Sequence, residues 1–183
     1  MNRNNNVQSI LIEKCKKNDG RAQMKLYDLY CNAMFNTAYN FTKNDMAAQD
    51  MMQEAFIKAF AKINTYNGEA SFGSWLKRIV INQCLDLTKK KNLETVEINE
   101  EVISIEDNDD WSVDKETSMK AIYSCIELLP QKCKNVVKLY LLEGYDHQEV
   151  AQILEISEVS SRSQLSRGKN RLRELLTQNN YES

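Results

Sequence analysis

Proline and glycine are scarce, with one proline (Pro130) and five glycines in 183 residues. Turn-rich all-β architectures, collagen-like repeats and Pro-rich chains all need more of both. Long helices joined by few turns are favoured instead. Histidine is limited to His147, and the five cysteines (Cys15, Cys31, Cys84, Cys125, Cys133) are scattered without a CxxC pair. A structural zinc site needs clustered ligands, and a secreted disulfide framework needs paired spacing. Reduced thiols packed in or near cores are therefore expected, in the cytoplasm. No apolar run approaches the length of a membrane span, and the Asn-rich segment from Met1 to Gln8 is unlike a signal peptide. Direct membrane insertion is not expected, and neither a metal nor a cofactor is implied. One histidine, no metal-ligand cluster and no glycine-rich phosphate loop give no support to an enzyme.

What the chain does have is charge, unevenly placed. The formal net charge is only −2. The segment from Asn92 to Glu116, however, carries ten acidic residues against Lys115 alone, so the rest of the chain is net positive. A run of like charge with little apolar content does not fold by itself. Residues 93–114 read as an acidic linker between two basic bodies, 9–92 and 115–178. Apolar residues within the linker, Val96, Ile98, Val102, Ile103, Ile105 and Trp111, fit either loose packing on the flanking domains or a groove on a larger partner.

The first body has helical periodicity. Ile10, Leu11, Cys15, Met24, Tyr27 and Leu29 recur at helical spacing, broken near Asn18-Asp19-Gly20, and a further stretch runs from Asn32 to Phe41. The strongest pattern spans Met46 to Ile63, where Ala48, Met51, Met52, Ala55, Phe56, Ala59, Phe60 and Ile63 fall on one face. Asp45 is a plausible N-cap for this helix. The opposite face holds Gln49, Asp50, Gln53, Glu54, Lys58 and Lys62, which periodicity alone reads as solvated. Asn64 to Ser74 reads as a loop by its Asn, Gly and Ser content. The helix after it, capped by Ser71 or Ser74, turns Trp75, Leu76, Ile79, Val80 and Leu85 inward, with Cys84 beside them. Lys77, Arg78, Lys89, Lys90 and Lys91 against Asp86 make it a basic segment able to hold a polyanion.

The second body is predicted to begin with a helix from Lys115 to Leu129, stopped at Pro130. A second helix runs from Gln131 to Glu143 and is ended by Gly144. Asp146 caps a third, His147 to Leu154, and a tight turn leads through a capping Ser160 to a fourth helix from Ser161 to about Leu176. Two helices joined so tightly, the second rich in Arg and Ser, suggest helix-turn-helix. Leu165, Leu172, Leu175 and Leu176 bury the last helix. Its exposed first half offers Arg162, Ser163, Gln164, Ser166 and Arg167, all able to donate hydrogen bonds to base edges or phosphates. A protein-binding helical hairpin is the alternative.

Several of these runs resemble bacterial extracytoplasmic-function (ECF) sigma factors. They are Ala48 to Phe60, Phe72-Gly73-Ser74-Trp75-Leu76-Lys77-Arg78-Ile79 with Asn82 and Asp86, and Leu128-Leu129-Pro130 through Glu143-Gly144-Tyr145 to Leu154. Ser157-Glu158 and Ser163-Gln164-Leu165-Ser166-Arg167-Gly168-Lys169 resemble that family's region 4 recognition helix. The match covers about 10–92 and 115–178, in order, around the acidic linker.

The resemblance implies an all-α fold of two small helical domains, sigma region 2 and a helix-turn-helix region 4. It implies docking on core RNA polymerase through the face holding Asp50, Gln53 and Glu54. Segment 64–82 resembles the part that captures an unstacked base of the −10 promoter element, which needs a stacking wall and hydrogen-bond donors. Tyr66, Phe72 and Asn82 are the candidates, Phe72 fitting a core position equally well, while Trp75 reads as core. Lys77, Arg78, Lys89, Lys90 and Lys91 would hold nearby phosphates. Ser160, Arg162, Ser163, Gln164, Ser166, Arg167 and Lys169 would meet the −35 element as duplex DNA. The linker would run along the polymerase channel. Core RNA polymerase, promoter DNA and an anti-sigma factor are the implied partners, and polymerisation is left to the core enzyme.

Four positions depart from the family pattern. Glu155 and Val159 stand where glycines are usual, and a left-handed backbone at either would be strained. Ser161 replaces a usual Val, and Gln164 an often-found Arg. The competing reading, a stand-alone helix-turn-helix regulator, would need a dimerisation surface; no coiled-coil heptads are evident.

Overall fold

The computed structural model describes residues 3–92 and 118–181, with side chains over 7–89 and 118–178. The proposed linker, 93–114, lies outside the described residues. The chain divides into two compact units, Met1–Ile98 and Asn99–Ser183. Eight α-helices, one 3-10 turn and one π-helical turn make up the described secondary structure, and the described residues hold no strand.

The first unit contains α1 (Arg3–Lys16), α2 (Gly20–Thr42), α3 (Asp45–Ala61), a 3-10 turn at Ile63–Thr65, and α4 (Phe72–Asn92). The break foreseen between α1 and α2 is set by polar chemistry. Asn18 adopts φ 60, and the Asp19 carboxylate accepts from the backbone N–H groups of Arg21 and Ala22, capping α2. The stretch 32–41 is not a separate helix: α2 runs unbroken from Gly20 to Thr42, because nothing between Tyr30 and Asn32 breaks it. The N-cap of α3 is Asn44, not Asp45. The Asn44 side chain accepts from the N–H of Ala47 at 2.9 Å, and Asp45 becomes the first helical residue, where its charge still favours the positive helix end.

The core of this unit is apolar. Leu26, Ala38, Ala48, Ala55, Phe56, Ala59, Leu76 and Val80 are buried, with Cys15 and Cys84 among them. Alanines at three positions of α3 permit close helix approach, and the bulk is supplied by Phe56, Met52 and the helices opposite. Ile10, Met24 and Leu29, counted with the apolar rhythm of the first helices, are exposed; Leu11, Ile12 and Ala22 take the buried places. Burial pushes the Cys15 thiol up, helped by the charge of Asp19.

The second unit contains α5 (Met119–Glu127), α6 (Gln131–Val137), a π-turn at Lys138–Leu142, α7 (His147–Leu154) and α8 (Glu158–Tyr181). Ser118 caps α5 through the N–H of Ala121, and the start foreseen at Lys115 falls outside the described residues. Gly144 adopts φ 77 after the π-turn, a conformation natural to glycine. Asp146 and Glu149 form a reciprocal capping box on α7. Buried Leu129, Val136, Val137, Leu139, Val150, Leu165 and Leu172 form the apolar interior. Gly168 lets α8 approach α6: a Cβ there would lie 2.6 Å from Val137 Cγ2.

Two polar insertions distinguish this interior. Lys138 is only 2% exposed, and its Nζ lies 2.8 Å from Glu127 Oε1. Ser161 is fully buried, and its hydroxyl pairs with His147 Nδ1 at 2.9 Å.

Candidate polymerase and DNA interfaces

Three surfaces gather the residues singled out by the sequence. The first lies on α3. Asp50, Gln53 and Glu54 are all exposed, on the side opposite Ala48, Met52, Ala55 and Phe56. Glu54 and Lys58 face Gln83 of α4, across a groove of about 370 Å³ that is also lined by Met51, Asp86, Leu87 and Lys89. Gln83 Nε2 donates to Glu54 Oε2, and Lys58 Nζ donates to Gln83 Oε1. The amide therefore spans from one helix to both charges on the other.

The second surface begins at the loop before α4. Phe72 is 1% exposed, so it belongs to the core and is withdrawn from the DNA-contacting set. Its ring instead backs an aromatic cluster: Tyr30, Tyr66 and Trp75 lie 5.5, 5.6 and 5.6 Å away by centroid. Tyr66 meets Phe72 edge-on at 88° and Trp75 at 5.4 Å. The Tyr66 hydroxyl donates to the Ala70 carbonyl at 2.8 Å, closing the loop over the cluster. Tyr66 and Trp75 are half-buried, so each offers ring surface to solvent while resting on the core.

The loop is shorter than its composition suggests. Ser71 accepts from the Ser74 N–H at 3.1 Å and caps α4, so Gly73 is already helical. A Cβ on Gly73 would sit 2.9 Å from Tyr30 Cε1. Tyr30, which sequence reasoning left unassigned, thus packs directly on the helix start, and its hydroxyl pairs with the Gln8 amide. Burial is the main cause raising the Tyr30 phenol above its ordinary range. A glycine inside a helix was the available signal of that close approach.

Along α4 the register sorts the proposed phosphate contacts. At about 100° per residue, Arg78, Asn82 and Lys89 fall within roughly 40° of one another, continuing the side that holds Trp75. Arg78, Asn82 and Lys89 are exposed. Lys77 lies on another side of the helix and is half-buried, apart from this stripe. The side chain of Lys90 lies outside the described residues.

The third surface is α8. The helix begins at Glu158, because Ser157 supplies the cap: its hydroxyl accepts from the Ser160 N–H at 3.1 Å. Ser160 is therefore within the first turn and not the cap, and its own hydroxyl accepts from Gln164 Nε2 at 2.9 Å. Arg162 and Ser163 are exposed, with Arg162 3.5 Å from Glu158, while Gln164 and Arg167 are half-buried. The Nε of Arg167 is enclosed with no hydrogen-bond partner. Ser166 is 9% exposed and turned towards the packed side, so it leaves the reading set. Lys169 is half-buried on the flank nearer the leucines.

The turn before α8 resolves the two missing glycines differently. Glu155 takes the left-handed conformation, φ 59 and ψ 42, and its N–H bonds to Ala151 O. Val159 is a helical residue of α8 and carries no positive φ. Of these two positions, Glu155 alone is strained. Neither His147 nor Ser161 was singled out as a site residue, yet their hydrogen bond joins α7 to α8, and Tyr140 stacks on His147 at 4.6 Å.

Comparison with known proteins adds to this geometry. The Sigma-70 region 2 model matches residues 26–94, and the Sigma-70, region 4 model matches residues 119–172. The ECF RNA polymerase sigma factor SigW of Bacillus subtilis (strain 168) is 28% identical over 178 residues, covering 90% of this chain and 94% of the relative. SigM of the same strain is 26% identical over 152 residues, covering 82% and 93%. The solved structure of the sigma factor RpoE with the anti-sigma factor NepR from Bartonella quintana is similar with a TM-score of 0.60. It is 22% identical and covers 84% of this chain and 96% of that one, a likeness of fold.

Proposed function

Because the chain belongs to the ECF group of the sigma-70 family, we propose a division of labour between its units in directing core RNA polymerase to promoters. The unit within 9–92 docks on the polymerase through Asp50, Gln53 and Glu54 and captures the −10 element. Tyr66 and Trp75 supply the stacking wall, Asn82 the donor, and Arg78 with Lys89 the phosphate contacts. The unit within 115–178 reads the −35 duplex through Ser160, Arg162, Ser163, Gln164 and Arg167. Segment 93–114 spans between them. The observation that carries this reading is the register of α8. Its leucines are spent on packing, while Arg162 and Ser163 are exposed and Arg167, half-buried, lies on the side away from Leu165.

The chain contributes binding groups, and polymerisation stays with the core enzyme. Among the described residues no helix is long and apolar enough to cross a membrane, and action in the cytoplasm follows from the polymerase as partner. A solved relative is held by an anti-sigma factor, and a protein of that class is the expected inhibitor here.

Substitution on each unit tests the division. Asp50→Lys with Gln53→Ala should lower affinity for core polymerase by tenfold or more. Arg167→Ala should leave that affinity intact and reduce use of the −35 element by about ten- to hundredfold. Polymerase binding lost in Arg167→Ala, or normal in the α3 variant, would overturn the assignment.

A further inference from the structure

The docking reading leaves one contact at the α3 face unused. Glu54 and Lys58 stand four residues apart on α3, a spacing at which opposite charges can meet directly. Here the Gln83 carboxamide of α4 stands between them, accepting from Lys58 with its oxygen and donating to Glu54 Oε2 with its nitrogen. Its polarity is fixed by its neighbours: only the oxygen can accept from an ammonium, and only the NH₂ can donate to a carboxylate. Met51 and Leu87 add apolar surface to the groove that Gln83, Glu54 and Lys58 line. Gln83 is half-buried, whereas Glu54 is exposed.

We infer that Gln83 is a positioning residue for polymerase docking: it holds the Glu54 carboxylate in one orientation for a basic group of the core enzyme. This rests on the docking role proposed for Glu54. One carboxylate oxygen is engaged by the amide, and the other is left for the incoming cation. A free glutamate on a helix surface must lose rotamer freedom when it binds, and prior orientation removes part of that cost. Gln83 also follows Asn82 in sequence, so the bond ties the helix carrying the −10 readers to the docking helix.

The test is a double-mutant cycle on the full chain, measuring its affinity for purified core RNA polymerase. Gln83→Leu keeps the volume and removes both hydrogen bonds; it should weaken binding about two- to fivefold. Gln83→Glu places like charge against Glu54 and should weaken it at least as much. In a Glu54→Ala background, Gln83→Leu should have no further effect, since the carboxylate it orients is gone. A loss that persists in that background marks a merely structural role for Gln83 and overturns the inference, as does unchanged affinity in Gln83→Leu. The Asp50→Lys, Gln53→Ala variant separates the two levels. If it binds core polymerase normally, the docking face itself is wrong. If it binds weakly while Gln83→Leu binds normally, the docking face stands and only the role of Gln83 falls.

Discussion

The two units solve the same problem in opposite ways. In the first, the proposed −10 surface grows out of the core: Phe72 is buried, and Tyr66 and Trp75 rest on it with part of each ring outside. In the second, site and core share a helix but not side chains. Leu165, Leu172 and Leu176 pack, while Arg162 and Ser163 face away. A pocket for an unstacked base needs apolar walls, which only a core margin provides. Reading duplex edges needs hydrogen-bond donors on a rigid rod, which an amphipathic helix provides without disturbing its packed side. Under the proposed assignment, stability and function are therefore coupled in the first unit and largely separable in the second.

The largest effect should come where they are coupled. Phe72→Ala removes a fully buried ring and the support of Tyr66 and Trp75, and should cost about 3–5 kcal/mol. Thermal unfolding and −10-dependent transcription should fall together; loss of one without the other would break the coupling. Next is the ion pair of the second unit, between buried Lys138 and half-buried Glu127. Glu127→Ala leaves the Lys138 ammonium buried beside only its remaining polar neighbours, at a cost of about 3 kcal/mol; Lys138→Met strands a carboxylate that is one-third exposed and still 3.7 Å from Lys134, and should cost less. Equal destabilisation by both would show that the pair itself holds the unit together.

Arg167→Ala belongs below these in stability and above them in selectivity. It should cost about 1 kcal/mol or less in stability, since the Arg167 stem is half-buried with its Nε enclosed, while discrimination at the −35 element falls by about 1–3 kcal/mol. The smallest effect is a gain. Glu155→Gly relieves a left-handed backbone and should stabilise the protein by about 1 kcal/mol, measured by chemical denaturation. No gain would mean that the Glu155 side chain makes a compensating contact.

Most of the helix order was legible because apolar periodicity and caps act locally. The face of α3, the Asp146 capping box and the leucine register of α8 follow from residues a few positions apart. What was missed depends on distance. Asn44 rather than Asp45 caps α3, and Ser157 rather than Ser160 caps α8, because cap-formers within one turn of each other compete and the tertiary fold selects one. Phe72 and Ser166 looked like contact residues by type and position, yet their burial depends on partners elsewhere in the chain. Gln83, Tyr30 and the His147–Ser161 pair carry no local signature at all. Each gains its role from a side chain at least fourteen residues away.

The most direct measurement combines the purified chain with core RNA polymerase and maps transcription starts on a library of promoter fragments. The expected result is tight binding to core and a small set of starts sharing one −10 and one −35 sequence. Arg167→Ala should relax only the −35 sequence. Specific duplex binding by the chain alone, with no polymerase-dependent starts, would contradict the sigma-factor reading and point to a stand-alone helix-turn-helix regulator.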